Sequence, residues 1–64
     1  MCESKLFVRE NGDERLVSDD IVSLVLTEEG YYKAYRMDGK VFELKGYVLD
    51  HIDFLKHKIV FRRC

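Results

Sequence analysis

Tyr31-Tyr32-Lys33-Ala34-Tyr35-Arg36-Met37-Asp38-Gly39-Lys40-Val41-Phe42-Glu43-Leu44-Lys45 is the stretch that decides the fold class. Side chains of an extended chain alternate between two faces, so Tyr31, Lys33, Tyr35 and Met37 oppose Tyr32, Ala34 and Arg36. Asp38-Gly39 follows, a dipeptide that accepts positive φ and closes two-residue hairpins. The return run from Lys40 to Lys45 turns Phe42 and Leu44 inward. A β-hairpin is expected here, one face apolar and the other wet.

The same grammar extends in both directions. Toward the N-terminus, Cys2 to Glu10 alternates, with Cys2, Ser4, Leu6 and Val8 against Glu3, Lys5, Phe7 and Arg9. Asn11-Gly12 is a strong type I′ turn signal, which pairs Glu14 to Val17 back onto that first run. Ser18-Asp19-Asp20 reads as a turn, because their side chains bond the nearby backbone readily. Ile21 to Thr27 is almost continuously apolar, so it should be a central strand, buried on both faces or lying at a dimer contact. Glu28-Glu29-Gly30 turns the chain into the Tyr31 hairpin.

Toward the C-terminus, Gly46 interrupts a β stretch and marks a bulge or sharp bend between sheets. Tyr47 to Asp53 continues as a strand, Phe54-Leu55-Lys56-His57 makes a tight corner, and Lys58 to Arg63 is the last strand. Val48, Ile52 and Leu55 also fit helical spacing, but the β-rich flanks and the Gly46 break favour strand. Turn signals recur every eight to twelve residues or so, and no proline interrupts a strand. The expectation is one domain, residues 1–64: an all-β, small antiparallel barrel of about five to six strands, Sm-like or SH3-like, since closure removes exposed sheet edges. Phe7, Phe42, Phe54 and Phe61 are assigned to its core, and Tyr31, Tyr32 and Tyr35 are left between core and surface.

The chain has 64 residues, 47% hydrophobic and 36% charged, which places it among globular rather than disordered sequences. A domain of this size buries only roughly 60% of its unfolded surface, so oligomerisation or a metal would add useful stability. No apolar run approaches the length of a membrane span, and the first residues lack a signal peptide's apolar core, so a cytoplasmic protein without a membrane role is expected. A Cys2–Cys64 disulfide is not expected in a reducing compartment. Net charge is −1 and basic residues are dispersed apart from Lys56-His57-Lys58 and Arg62-Arg63. A phosphate-neutralising footprint is therefore missing, and nucleic acid is a poor candidate partner. Acidic Asp19, Asp20, Glu28 and Glu29 are explained by solvated turns. With no nucleophile–base pair, phosphate-cradling loop or paired-cysteine motif, a non-enzyme is expected.

Cys2 is the candidate ligand. It follows Met1 directly, and an initiator methionine is generally removed before a small residue. Removal leaves an α-amine and a thiol on adjacent carbons, with ordinary pKa values near ~8 and ~8.5, which a metal can deprotonate together near neutral pH. The two donors close a five-membered chelate ring. Two such ends across a dimer axis supply two nitrogens and two sulfurs, a planar set suited to Ni(II) or Cu(II) rather than tetrahedral Zn(II). With Met1 retained, the backbone nitrogen of Cys2 and the Met1 amine could complete an equivalent plane. The competing reading makes Cys2 an ordinary small residue opening a strand. His51 and His57 are weaker candidates, because their separation matches no ligand spacing.

Taken along its length, the chain resembles the CooT family of small nickel-binding proteins. The similarity lies in Met1-Cys2-Glu3-Ser4-Lys5, Asn11-Gly12, Leu16-Val17, Asp20-Ile21-Val22, Glu43-Leu44-Lys45-Gly46, and the closing Ile52-Asp53, Leu55 and His57-Lys58-Ile59-Val60. The resemblance implies an Sm-like barrel that forms a homodimer, binds one nickel ion between two copies of Cys2, and serves carbon monoxide dehydrogenase maturation as metallochaperone or nickel store. It gives Cys64 no role. It also implies that the RNA-binding label carried by such chains rests on barrel shape alone. An Sm-like RNA-binding module and a metal-independent adaptor are the alternatives.

Overall fold

The computed structural model describes residues 3–64. Six strands follow in order, β1 (Ser4–Glu10), β2 (Asp13–Leu26), β3 (Tyr32–Arg36), β4 (Val41–Leu44), β5 (Tyr47–Asp53) and β6 (Lys58–Arg63). They form a single sheet in the order β4-β3-β2-β1-β6-β5. The all-β expectation is met, and the described residues include no helix long and apolar enough to cross a membrane. One pairing departs from an antiparallel barrel: β1 and β6 run parallel, from Lys5↔Lys58 to Arg9↔Arg62. No hairpin links these two strands, so nothing local dictates their relative direction.

Connectivity shows why the sheet curls. β4 and β5 are its opposite edges, yet only Lys45 and Gly46 separate them in sequence. A two-residue link can join opposite edges only if the sheet rolls until those edges approach. Gly46 makes the corner at φ 82°, and its carbonyl accepts the Cys64 N–H at 3.1 Å. The Gly46 break thus marks the joint of a half-barrel.

Local chemistry sets the other turns. Asn11 and Gly12, at φ 54° and 83°, supply the two positive angles of a tight hairpin and pair Glu10 with Asp13. In the second hairpin the loop is one residue longer than expected. The Arg36 N–H donates to the Lys40 carbonyl (2.8 Å) and the Gly39 N–H to the Arg36 carbonyl (2.9 Å), so Met37 belongs to the turn with Asp38-Gly39.

Ser18-Asp19-Asp20 is not a turn. β2 continues through it without ending, with Asp20 at φ 57° and register breaks against both β1 and β3. These bulges bend one long strand so that its first half pairs with β1 and its second half with β3. Short polar side chains satisfy the disturbed backbone: Ser18 Oγ donates to the Asp19 carbonyl, and Arg36 Nη1 donates to Ser18 Oγ (3.0 Å) and Asp19 Oδ1 (2.7 Å). The residues that reverse a chain can equally kink one.

Leu6, Val8, Ile21, Ala34, Leu44, Ile59 and Phe61 form the core, drawn from every strand but β5. β5 adds Tyr47, Leu49 and Ile52 at its margin. Tyr32 meets Phe61 edge-on, centroids 5.4 Å apart. Phe42 packs against this cluster as expected, but two phenylalanines do not join it. Phe7 lies on the outer face beneath Lys58 Nζ, and Phe54 is 81% exposed in the β5–β6 corner, which has no inward side. The apolar second half of β2 is likewise not buried on both faces within the chain. Ile21 is internal, whereas Val22, Val25 and Leu26 are exposed.

Candidate functional site

Cys2 lies outside the described residues, which enter β1 at Ser4. Ser4 opens β1 opposite Ile21 and lines a shallow, open recess of about 180 Å³. Ile21 to Leu24 of β2, Ile52 of β5, Phe54 of the corner and Ile59 of β6 make up the rest of its lining, which mixes serine with aliphatic and aromatic side chains. The parallel β1–β6 pair brings the β5–β6 corner beside the start of β1. At that corner the His57 carbonyl accepts the Lys5 N–H at 2.9 Å.

The other sulfur is far away. Cys64 is exposed at the end of β6, six residues beyond Lys58, the partner of Lys5. At strand pitch this is about 20 Å along the sheet. Two residues preceding Ser4 span at most about 7 Å, so an intramolecular Cys2–Cys64 disulfide, needing Cα atoms closer than about 7 Å, is out of reach. The fold itself thus keeps the two sulfurs of one chain apart.

The two histidines separate. His51 is exposed, and its Nδ1 lies 2.6 Å from Asp50 Oδ2. His57 stands in the corner at φ 53° with its backbone tied to Lys5, which places it beside the start of β1 in space though not in sequence. Among the described residues, no group of three or more His, Cys, Asp or Glu side chains could hold a metal.

The sequence did not disclose the ion-pair network on the outer face. Asp50 accepts Arg9 at 3.2 and 2.6 Å, approaches Arg62 Nε at 3.3 Å, and meets His51. The His51 hydrogen bond, followed by that from Arg9, holds the Asp50 carboxyl below the usual range. Glu10 is lowered chiefly by Arg63, which donates at 2.6 Å, with Tyr47 adding a second bond. Lys58 pairs with Glu14. Around the β3 end, Arg36 is raised by Asp19 and Asp38, and Asp38 is lowered first by the Lys40 N–H and then by Arg36. All five arginines, with Lys45 and Lys58, thus lie within 3.9 Å of a carboxylate. The alternation rule puts Arg9 outside, but only the non-local β1–β6–β5 pairing brings Asp50 to it.

No family model matches the chain, and no curated protein matches it. Among solved structures it is similar to a crystal structure described as a candidate CooT from Carboxydothermus hydrogenoformans. The TM-score is 0.83, with 22% identity over 98% of each chain. The two chains share one fold over practically their whole lengths.

Proposed function

We propose that this chain is a cytoplasmic, homodimeric nickel-binding accessory protein, a metallochaperone or nickel store, and not an enzyme. One observation carries the reading: a whole-chain structural likeness to a candidate CooT coincides with a Met1-Cys2 opening. Cys2 is assigned the metal through its thiolate and adjacent nitrogen, with a second copy contributing the same pair. Nickel is the cargo in this reading, and a nickel enzyme such as carbon monoxide dehydrogenase is the client. The donor set is chemically suited to Ni(II), because deprotonated nitrogen and thiolate favour a planar d⁸ ion. The Arg9, Arg62, Arg63 and Lys58 ion pairs weigh against the Sm-like RNA-binding alternative.

Titration of the apo protein with Ni(II) should produce a thiolate-to-nickel charge-transfer band that saturates at one metal per dimer. Cys2→Ala should abolish the band and Cys64→Ala should leave it intact. Equal nickel affinity in Cys2→Ala and parent would refute the assignment. The metal-independent adaptor reading has one observation in its favour, the exposed Phe54-Leu55 pair. It would gain if a purified client bound equally well with nickel absent and with Cys2 replaced.

A further inference from the structure

β4 is an edge of the sheet, and half of its backbone faces away from its neighbour. The Arg36 N–H donates to the Lys40 carbonyl at 2.8 Å, and bonded pairs alternate along an antiparallel ladder. Phe42 and Leu44 therefore turn their N–H and C=O groups toward Ala34 and Tyr32 of β3, whereas Val41 and Glu43 direct theirs away from it. Two donor–acceptor pairs about 7 Å apart thus line the free side of the strand. The opposite edge is guarded. β5 has a register break between Leu49 and His51, with the Asp50 carboxylate and its ion pairs beside it, features that discourage an added strand. β4 pairs in unbroken register, and its Val41 is 42% exposed.

A groove of about 370 Å³ follows this edge. Val41, Phe42, Glu43 and Leu44 all line it, and consecutive side chains of a strand point to opposite faces, so the groove runs along the rim of the strand. Val8, Val17 and Tyr47 form its far wall, at the opening of the half-barrel that no ladder between β4 and β5 closes. Its border is basic. Arg15 lines the groove, Lys40 and Lys45 flank β4, and Lys33 lies opposite Glu43, the one carboxylate of the strand. Arg15 meets a carboxylate only at 3.9 Å, on Glu10, whose other oxygen is held by Arg63 and Tyr47. We propose that this edge binds an extended acidic segment of another protein, which adds to β4 as a further strand. An extended polypeptide repeats donors and acceptors at the spacing that Val41 and Glu43 present. Its alternate apolar side chains cover Val8, Val17 and Phe42, and its carboxylates meet Arg15 and the flanking lysines. The contact uses neither Cys2 nor a metal, and so goes beyond the nickel reading.

The test is an NMR titration of the full chain, metal-free, with an acetylated octapeptide of alternating glutamate and valine, against the same peptide with lysine in place of glutamate. Saturable binding of the acidic peptide is expected, with hydrogen exchange slowed at the Val41 and Glu43 amides. Val41→Pro removes one outward N–H while sparing the β3–β4 ladder, and Arg15→Glu reverses a charge held only by the long Glu10 contact. Each should weaken binding on the order of tenfold or more, with circular dichroism unchanged. Absence of binding, equal binding of the lysine peptide, or unaltered exchange at Val41 and Glu43 in the saturated parent would overturn the proposal without recourse to any variant. Full affinity in folded Val41→Pro or Arg15→Glu would do the same. So would edge amides already protected in the free protein that lose protection on dilution, because a second copy would then occupy the edge. The nickel reading fails separately: Cys2→Ala should keep the peptide while losing the nickel band.

Discussion

Asp50 joins three strands on the outer face, because Arg9 of β1, Arg62 of β6 and its own neighbour His51 converge on one carboxylate. Its pKa lies below the ordinary value, so the folded state binds a proton there less readily than the unfolded chain. The resulting stabilisation is complete above the unfolded pKa, near ~4, and is lost as pH falls through the lower folded value. Glu10 has the same sign. Urea midpoints should therefore hold from neutral pH to about 5 and fall below about 4. Asp50→Asn should lower the neutral plateau and flatten the acid limb. A parent and an Asp50→Asn variant with superimposable pH profiles would show that this network contributes nothing. Cys2 belongs to the same scale: the chemistry proposed for it comes from sequence alone, because two donors on adjacent carbons need no fold to bring them together.

Among the elements, those closed by a chemically committed turn were the legible ones. Asn11-Gly12 announces the first hairpin, and the extents of β5 and β6 follow from alternation up to the corner at Phe54. Ser18-Asp19-Asp20 misled because Ser and Asp bond nearby backbone in turns and bulges alike. The difference was decided by Arg36, which reaches across from β3. Phe54 misled in the opposite sense, since apolar size implies burial only where an interior face exists. The link between β4 and β5 offers a test at this scale. Gly46 holds φ 82° with open space around its missing Cβ, so Gly46→Ala adds left-handed strain without a clash. A loss of about 1–2 kcal/mol is expected from that strain, read as a lower urea midpoint at unchanged m-value. No loss would mean that the joint relaxes freely and does not hold the curl.

At the scale of the whole molecule, neither the parallel β1–β6 pairing nor the strand order could be taken from local pattern. Both depend on which distant strands bury Leu6, Val8, Ile59 and Phe61 together. That pairing has two consequences for function. It carries Cys64 about a strand's length from Ser4, leaving the two sulfurs unable to meet within one chain. It also sets the β5–β6 corner, with the exposed Phe54 and Leu55, beside the start of β1. The resemblance in sequence implies a dimer that shares nickel between two copies of Cys2, and that is the reading proposed for this chain.

Native mass spectrometry of the protein loaded with Ni(II) is the most direct measurement of that account, because it reads subunit number, metal count and Met1 removal in one spectrum. The parent should appear as a dimer carrying a single nickel ion, and Cys2→Ala as a dimer carrying none. Nickel retained at one per dimer in Cys2→Ala would contradict the central claim.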